Sequence, residues 1–259
     1  DQMRSVRSML RALLLGLFVV LFWFLLPNLL YLGGALLFPD RAEGLLSFLS
    51  FFGTALSALF LMGIFALFGK RFRETVCWRP KRASVGVHLS AVLFGVCANT
   101  AVSTLLALLP LPESLLNDYV QQSQSVYDPT HGVLSLLSAV ILAPLFEEIL
   151  FRGYLFRFLR SGFPFWAAAA VTALLFGLAH GQILWICYAG VMGLLFCFLT
   201  ERKGTLTVAV AAHFGFNLTA VPELLFPDRQ TPAALLAAVG VLCLMLAVLL
   251  WIGVLRKRG

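Results

Sequence analysis

Charged residues are scarce in this sequence, and that scarcity excludes an ordinary water-soluble domain. Of the 259 residues, 12% are charged and 61% are hydrophobic, whereas soluble domains carry about 25% charged residues. CxxC pairs are also absent among the five cysteines. We therefore interpret Cys97, Cys187, Cys197 and Cys243 as small apolar packing residues and Cys77 as a reduced cytoplasmic thiol.

Long uncharged stretches take up most of the chain. A helix needs about 20 mostly apolar residues to cross the hydrocarbon core of a bilayer. The stretches without Asp, Glu, Lys or Arg are 12–39, 44–69, 83–112, 129–146, 161–200, 204–222 and 230–255. His180-Gly181-Gln182 divides the 161–200 stretch into two spans. The sequence therefore predicts an all-α, polytopic membrane bundle of about eight transmembrane helices, forming one domain over residues 1–259.

The basic residues support this count through their positions. If the N-terminus is cytoplasmic and eight spans alternate, 17 of the 19 basic residues fall on the inner side, and only Arg41 and Arg229 fall outside. This is the positive-inside pattern, and it places both termini in the cytoplasm. The net charge of +7 is thus explained by orientation and contact with anionic lipid, so no nucleic-acid partner is expected. The apolar run after Arg4–Arg11 is too long for a signal peptide, so an anchor is expected.

Two adjacent carboxylates end the fourth uncharged stretch. Centring a charge in a bilayer costs about 2.5–3.5 kcal/mol, so Glu147 and Glu148 need a reason to be there. Arg152 follows Glu148 by four residues and shares its helix face. We predict that Glu148 pairs with Arg152, whereas Glu147 points about 100° away and faces a cavity. The alternative is that both carboxylates only bridge helices.

His180 is predicted to lie at the same depth as Glu147. Spans four and five form a hairpin with its turn at Ser161-Gly162-Phe163-Pro164, and residues equidistant from such a turn face each other. Phe176 precedes His180 by one helical turn and is expected to wall the pocket.

His213 and Asn217 lie four residues apart in span seven, so they share one helix face. A lone histidine in an apolar helix is usually a packed core residue. Because three predicted helices each carry polar side chains, a shared functional site is favoured instead. His88 and His131 fall near span ends, and we expect them to be interfacial. We expect the polar segment 113–131 to be an ordinary surface loop; the alternative is that it covers the bundle or binds a partner.

Three motifs carry a family resemblance. Glu147–Arg152 reads EExxxR, Phe176–His180 reads FxxxH, and His213–Asn217 reads HxxxN. In this order and spacing they resemble the CAAX-protease and bacteriocin-processing family of intramembrane proteases, also called Abi. Each motif alone is weak, but three in order, each expected within a membrane helix, are specific. The resemblance places a protease core at about 132–222.

The resemblance implies an intramembrane endopeptidase with assigned roles. Glu147 would activate water with the help of His180, and His213 and Asn217 would stabilise the oxyanion. Glu148 and Arg152 would hold the architecture and tune its charge. The expected partner is a peptide or membrane-protein substrate in a prokaryotic plasma membrane.

Metal use has two readings. Glu147, His180 and His213 are possible Zn²⁺ ligands, yet HExxH is absent and asparagine is a poor zinc ligand. We therefore expect a mechanism without a metal or other cofactor.

Two other functions are compatible with the composition. One is a non-catalytic bacteriocin-immunity or scaffold protein of the same fold. The other is a proton-coupled transporter that uses the buried carboxylates as relays, although the paired broken helices typical of transporters are not evident.

Overall fold

The protein is a bundle of helices that pack side by side. The computed structural model describes residues 6–68, 81–126, 132–219, 221 and 232–256, and these residues contain no strand. The predicted all-α polytopic fold is confirmed. The helices are α1 Val6–Leu37, α2 Ala42–Leu67, α3 Val85–Leu108, α4 Glu113–Val126, α5 residues 132–162, α6 Phe165–Leu178, α7 Ile183–Lys203, α8 Thr207–Leu218 and α9 Ala233–Arg256.

Helix length separates two groups of apolar helices. Within the described ranges, five helices are long and apolar enough to cross a membrane: α1, α3, α5, α7 and α9. Shorter apolar helices are Phe52–Leu67 within α2, α6 and α8. All eight correspond to the uncharged stretches of the sequence. The crossing of the bilayer by the three short helices remains a prediction.

Helix α7 joins two buried clusters of apolar side chains. The first cluster combines α1, α2, α5 and α6, and Ala189 and Cys197 of α7 belong to it. The second combines α3, α8 and α9, and Met192 and Phe196 of α7 belong to that one. Because α5 lies in the first cluster and α8 in the second, the motifs meet where the two clusters adjoin.

Helices α3 and α8 approach each other backbone against backbone. A Cβ on Gly95 would lie 2.5 Å from the Phe216 nitrogen, and one on Gly215 would lie 2.8 Å from the Val92 carbonyl carbon. Small residues permit such close approach in membrane bundles. The two glycines therefore determine how closely the backbones of α3 and α8 approach each other.

Gly215→Ala is expected to destabilise the protein by about 1–3 kcal/mol, because the new methyl group meets backbone that cannot move aside. Unfolding in detergent, followed by tryptophan fluorescence, measures the effect. Gly33→Ala is the matched control, because a Cβ there has open space around it. Equal unfolding midpoints for both variants would contradict the packing argument.

The predicted hairpin turn between α5 and α6 is present. α5 ends at Gly162, Phe163 is extended, and Pro164 precedes the first residue of α6. Arg160 donates from Nη1 to the Phe163 carbonyl at 3.1 Å and from Nε to Glu201 at 3.0 Å. Hydrogen bonds of Arg160 thus connect the turn to the end of α7.

The polar segment after α3 is a helix and not the expected surface loop. Residues 113–126 contain no glycine or proline, so a helix can continue through them. The Leu115 carbonyl accepts from Gln182 Nε2 at 3.4 Å, and the Tyr119 ring lies 6.2 Å from the Trp185 ring. α4 therefore covers the start of α7. Residues 127–131 lie outside the described ranges.

Candidate active site

A cavity of about 560 Å³ lies among helices α1 to α8. Its wall includes four of the predicted site residues, namely Glu147, His180, His213 and Asn217. The predicted wall residue Phe176 also borders it. The cavity has the size of a ligand pocket. The structure thus brings residues from three separate motifs around one space.

The two adjacent glutamates face different surroundings. The Glu147 side chain is 21% exposed and borders the cavity, whereas that of Glu148 is fully buried. Glu148 Oε1 lies 2.9 Å from Arg152 Nη1, as the four-residue spacing predicts. A buried carboxylate needs such a partner because desolvation is costly.

Aromatic rings enclose the Arg152 guanidinium. Its central carbon lies 4.1 Å from the Phe176 ring centroid and 5.2 Å from that of Phe196. These distances suit cation–π attraction. A Cβ on Gly193 would come within 3.0 Å of Arg152 Nη2, so the absent side chain leaves room for the cation. Arg152 therefore lies behind the cavity wall and does not border the cavity.

His213 lies between the two carboxylates. Its Nδ1 is 2.9 Å from Glu148 Oε1, and its Nε2 is 3.8 Å from Glu147 Oε2. A carboxylate only accepts, so the Nδ1 atom carries a proton and donates it. The ring stacks on Phe196 at 5.0 Å. This geometry aims Nε2 toward Glu147 and the cavity.

His180 follows the end of α6, which corrects the expectation that the FxxxH motif lies wholly within a helix. α6 ends at Leu178, and Gly181 adopts a left-handed φ of +74° that stops the helix. The Gln182 side chain then caps α7 by accepting from the backbone of Leu184 and Trp185.

The His180 ring is nevertheless fixed in position. Its Nδ1 is 2.8 Å from the Phe176 carbonyl, which only accepts, so Nδ1 donates. The ring packs edge-on against Phe176 at 4.9 Å and Trp185 at 6.0 Å. In the neutral ring this tautomer leaves the Nε2 lone pair free to accept a proton.

Asn217 donates to the backbone carbonyl of Ala139 in α5, which lacks its usual N–H partner within the helix. Residues Ser138–Leu142 form a π-helical turn, in which the Ala143 N–H bonds to the Ser138 carbonyl. The next residue, Pro144, has no N–H to offer to Ala139. Asn217 Nδ2 donates to the Ala139 carbonyl at 2.9 Å. The proline in α5 thus creates the anchor for a side chain of α8.

Asn99 is a cavity residue that the sequence analysis did not identify. Its Nδ2 donates to the Phe216 carbonyl at 2.7 Å, and its Oδ1 accepts from Ser103 at 3.0 Å. An asparagine within an apolar helix was the available signal. No recognisable motif surrounds it, so its partner on α8 could not be inferred.

The remaining candidate residues lie elsewhere. His88 contacts the Ser84 carbonyl and Thr207 near the start of α3, and His131 lies outside the described residues. Cys97, Cys187, Cys197 and Cys243 are free thiols. Cys187 is exposed, which corrects its interpretation as a packing residue. Cys77 also lies outside the described residues.

The ligand set considered for zinc is not preformed. In the part of the chain that the structure describes, no three His, Cys, Asp or Glu side chains are grouped as a metal site. Of the alternative set Glu147, His180 and His213, each histidine engages its Nδ1 in a hydrogen bond. Only the Nε2 atoms of His180 and His213 therefore remain available as imidazole ligands for a metal ion.

The middle of the chain is similar to a known peptidase family. Residues 129–219 match the profile of a family described as "Type II CAAX prenyl endopeptidase Rce1-like". This range contains all three motifs and the helices α5 to α8.

Three curated proteins are similar to the chain. "Putative membrane peptidase YdiL" of Bacillus subtilis is 29% identical over 42% of this chain and 46% of its own length. An "Uncharacterized 24.3 kDa protein" of Escherichia coli is 38% identical over 31% of this chain and 40% of its own length. "UPF0177 protein YbdI" of Lactococcus lactis is 27% identical over 60% of this chain and 81% of its own length. The chain thus spans less than half of the first two relatives, and no solved structure matches significantly.

Proposed function

We propose that this chain, whose resemblance to the CAAX-protease and bacteriocin-processing family is confirmed over residues 129–219, is an endopeptidase that hydrolyses a peptide bond inside the membrane. One observation carries the proposal. Glu147, His180, His213 and Asn217 border one cavity, while Glu148 and Arg152 are buried behind it. The name of one relative, "Putative membrane peptidase YdiL", supports the same class of activity.

The proposed reaction begins with water between Glu147 and His180. Glu147 accepts a proton from the water, and the Nε2 lone pair of His180 accepts a hydrogen bond that orients it. The hydroxide forms a C–O bond to the scissile carbonyl carbon. Collapse of the tetrahedral intermediate breaks the C–N bond, and Glu147 returns its proton to the leaving amine. Atoms and charges balance with water as the only co-reactant.

His213 and Asn217 stabilise the oxyanion in this scheme. Asn217 Nδ2 carries two protons, and the Ala139 carbonyl engages one of them, so the other can donate to the oxyanion. His213 donates from Nε2 when its ring is protonated. Glu148 at Nδ1 stabilises that charged ring, as a carboxylate does for histidine in a Ser-His-Asp triad. Glu148 is thus a positioning residue and does not touch the substrate.

Exhaustive chelation is expected to leave the cleavage rate unchanged, because every proposed step uses side chains and water alone. The measurement is peptide cleavage by purified protein in liposomes after treatment with a strong chelator. A mock-treated sample is the control. Loss of activity that only Zn²⁺ restores would overturn the metal-free mechanism and favour the site of Glu147, His180 and His213.

The proposal also includes the orientation of the chain in the membrane. Arg7 lies near the start of α1, whereas Arg160 and Lys203 lie near the ends of α5 and α7. If eight spans alternate across the bilayer, these three ends fall on the same side, which supports a positive-inside orientation. We place both termini in the cytoplasm of a prokaryotic cell. Reporter fusions at each helix end measure this orientation directly.

A comparison of cleaved termini tests the function. Membranes that express the native chain are compared with membranes that express Glu147→Gln at the same level, and new protein termini are identified by mass spectrometry. We expect a set of termini present with the native chain alone. Identical termini in both membranes would contradict the peptidase and favour the scaffold or transporter functions.

A further inference from the structure

The end of α8, which carries one of the proposed oxyanion donors, is bound by a side chain of α3. Asn99 on α3 donates from Nδ2 to the Phe216 carbonyl at 2.7 Å. Phe216 lies in the last turn of α8, where helix carbonyls generally lack an N–H from their own helix. The Thr219 hydroxyl donates to the same oxygen at 2.9 Å from the residue that caps α8. Asn99 therefore connects this carbonyl to a second helix.

The Asn99 amide has a defined orientation. Its Oδ1 accepts from the Ser103 hydroxyl at 3.0 Å, one helical turn further along α3. The Phe216 carbonyl only accepts, so the Nδ2 end of the amide must face it. Rotation of the amide by 180° would place two acceptors against each other at Phe216. The Asn99 side chain therefore joins α3 and α8 in one geometry.

This bond acts on the residue that follows Phe216. The Phe216 carbonyl belongs to the same planar peptide unit as the Asn217 nitrogen. A bond that holds this oxygen therefore holds the backbone from which the Asn217 side chain projects. The Asn217 amide in turn donates to the Ala139 carbonyl of α5 at 2.9 Å. Asn217 is thus positioned through its backbone by α3 and through its side chain by α5.

Three of the described hydrogen bonds position the part of α8 that borders the cavity. Two of them belong to His213 and Asn217, the proposed oxyanion donors themselves. The third belongs to Asn99, which lies on a different helix and has no role in the proposed proton transfers. Removal of the Asn99 bond therefore leaves every proposed reacting group in the chain.

We propose that Asn99 is a positioning residue of the peptidase, which acts through the Phe216 carbonyl to hold the Asn217 amide where the oxyanion develops. This inference rests on the proposed function and adds a residue of α3 to the same site. A misplacement of about 1 Å can lower a catalytic rate by about 10²-fold. The donor acts on the transition state, so its misplacement should lower kcat and leave KM nearly unchanged.

A double-mutant cycle tests this role. kcat and KM are measured in liposomes with a peptide that spans an identified cleavage site, for the native chain, Asn99→Ala, Asn217→Ala and the double variant. We expect Asn99→Ala to lower kcat by about 10- to 100-fold with KM within about twofold. In the Asn217→Ala background the same change should lower kcat by no more than about twofold, because the donor that Asn99 positions is already gone.

His88→Leu is the matched control. His88 Nε2 lies 2.8 Å from Thr207 Oγ1, so this pair also joins α3 to α8. Thr207 is the first residue of α8, and Asn217 lies about 15 Å further along the helix. A general loosening of the contact between α3 and α8 should slow both variants alike, whereas positioning of Asn217 predicts a native kcat for His88→Leu. Unfolding midpoints in detergent are measured for both variants.

Ser103→Ala is a second variant, which serves if Asn99→Ala does not fold. It retains Asn99 and removes the bond that orients its amide. We expect kcat to fall by about two- to tenfold, the equivalent of one neutral hydrogen bond. The fall should again disappear in the Asn217→Ala background.

Several results would overturn the role of Asn99. They are an equal fall of kcat with and without Asn217, a raised KM at native kcat, and native rates in both Asn99→Ala and Ser103→Ala.

Failure of the peptidase itself is distinguished by a spin label at Leu218→Cys in a chain without other cysteines. If the native chain cleaves no peptide, the proposed function is wrong. A label that is more mobile in Asn99→Ala and unchanged in His88→Leu would still support the positioning of α8 by Asn99. Equal mobility in the native chain and in Asn99→Ala would overturn it.

Discussion

Arg152→Met is expected to destabilise the protein by about 3–5 kcal/mol, because it removes the guanidinium that compensates the buried Glu148 carboxylate. Glu148 and Arg152 are both fully buried, and Glu148 Oε1 contacts Arg152 Nη1 and His213 Nδ1 at 2.9 Å each. Because the Glu148 side chain is fully buried, solvent is not expected to replace the lost cation. Unfolding in detergent, followed by tryptophan fluorescence at increasing denaturant, measures the loss.

Two control variants test whether the loss of stability comes from the burial of Glu148 or from the loss of any positive charge. Arg160→Met removes a cation from the Arg160–Glu201 pair, whose side chains are 25% and 42% exposed. That change should cost no more than about 1 kcal/mol, because water screens the remaining carboxylate. The double variant Glu148→Gln with Arg152→Met should recover part of the lost stability. Equal losses at the buried and the exposed pair would refute the argument.

Glu147→Gln is expected to lower the cleavage rate by about 10²–10⁴-fold, the usual contribution of a general base. Glutamine keeps the shape of the side chain and removes its capacity to accept a proton. Glu147 borders the cavity and has no cation as close as Arg152 is to Glu148. The unfolding midpoint should therefore change little. Initial rates with a peptide that spans an identified cleavage site measure the effect.

Glu148→Gln provides the comparison for this experiment. It removes the charge that compensates Arg152, so the main expected loss is in stability, and the cleavage rate falls through misplacement of His213. A Glu147→Gln variant that still cleaves at the native rate would contradict the assignment of the base.

Local spacing in the sequence was enough to predict several features of the site. The four-residue interval of Glu148 and Arg152 predicts their ion pair, and the structure contains it. The same interval places His213 and Asn217 on one face of α8, and both border the cavity. The turn at 161–164 follows from its serine, glycine and proline between two apolar stretches. Each of these features depends on residues close together in the chain.

Features that depend on distant residues could not be predicted. The contact of His213 with Glu148 joins positions 65 apart, and no rule of helix periodicity specifies it. His180 was expected within a span because the end of an apolar stretch does not reveal where a helix stops. Pro144 was present in the sequence, but its effect on the Ala139 carbonyl appears only once Asn217 is positioned 78 residues away.

The length of α8 affects the order in which the site forms during synthesis. Its 12 residues extend about 18 Å, against the roughly 30 Å of a bilayer core. A nascent chain therefore cannot hold α8 in the membrane by hydrophobicity alone. Its anchors, Asn99 on α3 and Ala139 on α5, leave the ribosome earlier, and the bond from Asn99 closes a separation of 117 residues. His213 and Asn217, the proposed oxyanion donors, thus reach the cavity after Glu147 and His180, and under the proposed mechanism a chain that ends before α8 would lack them.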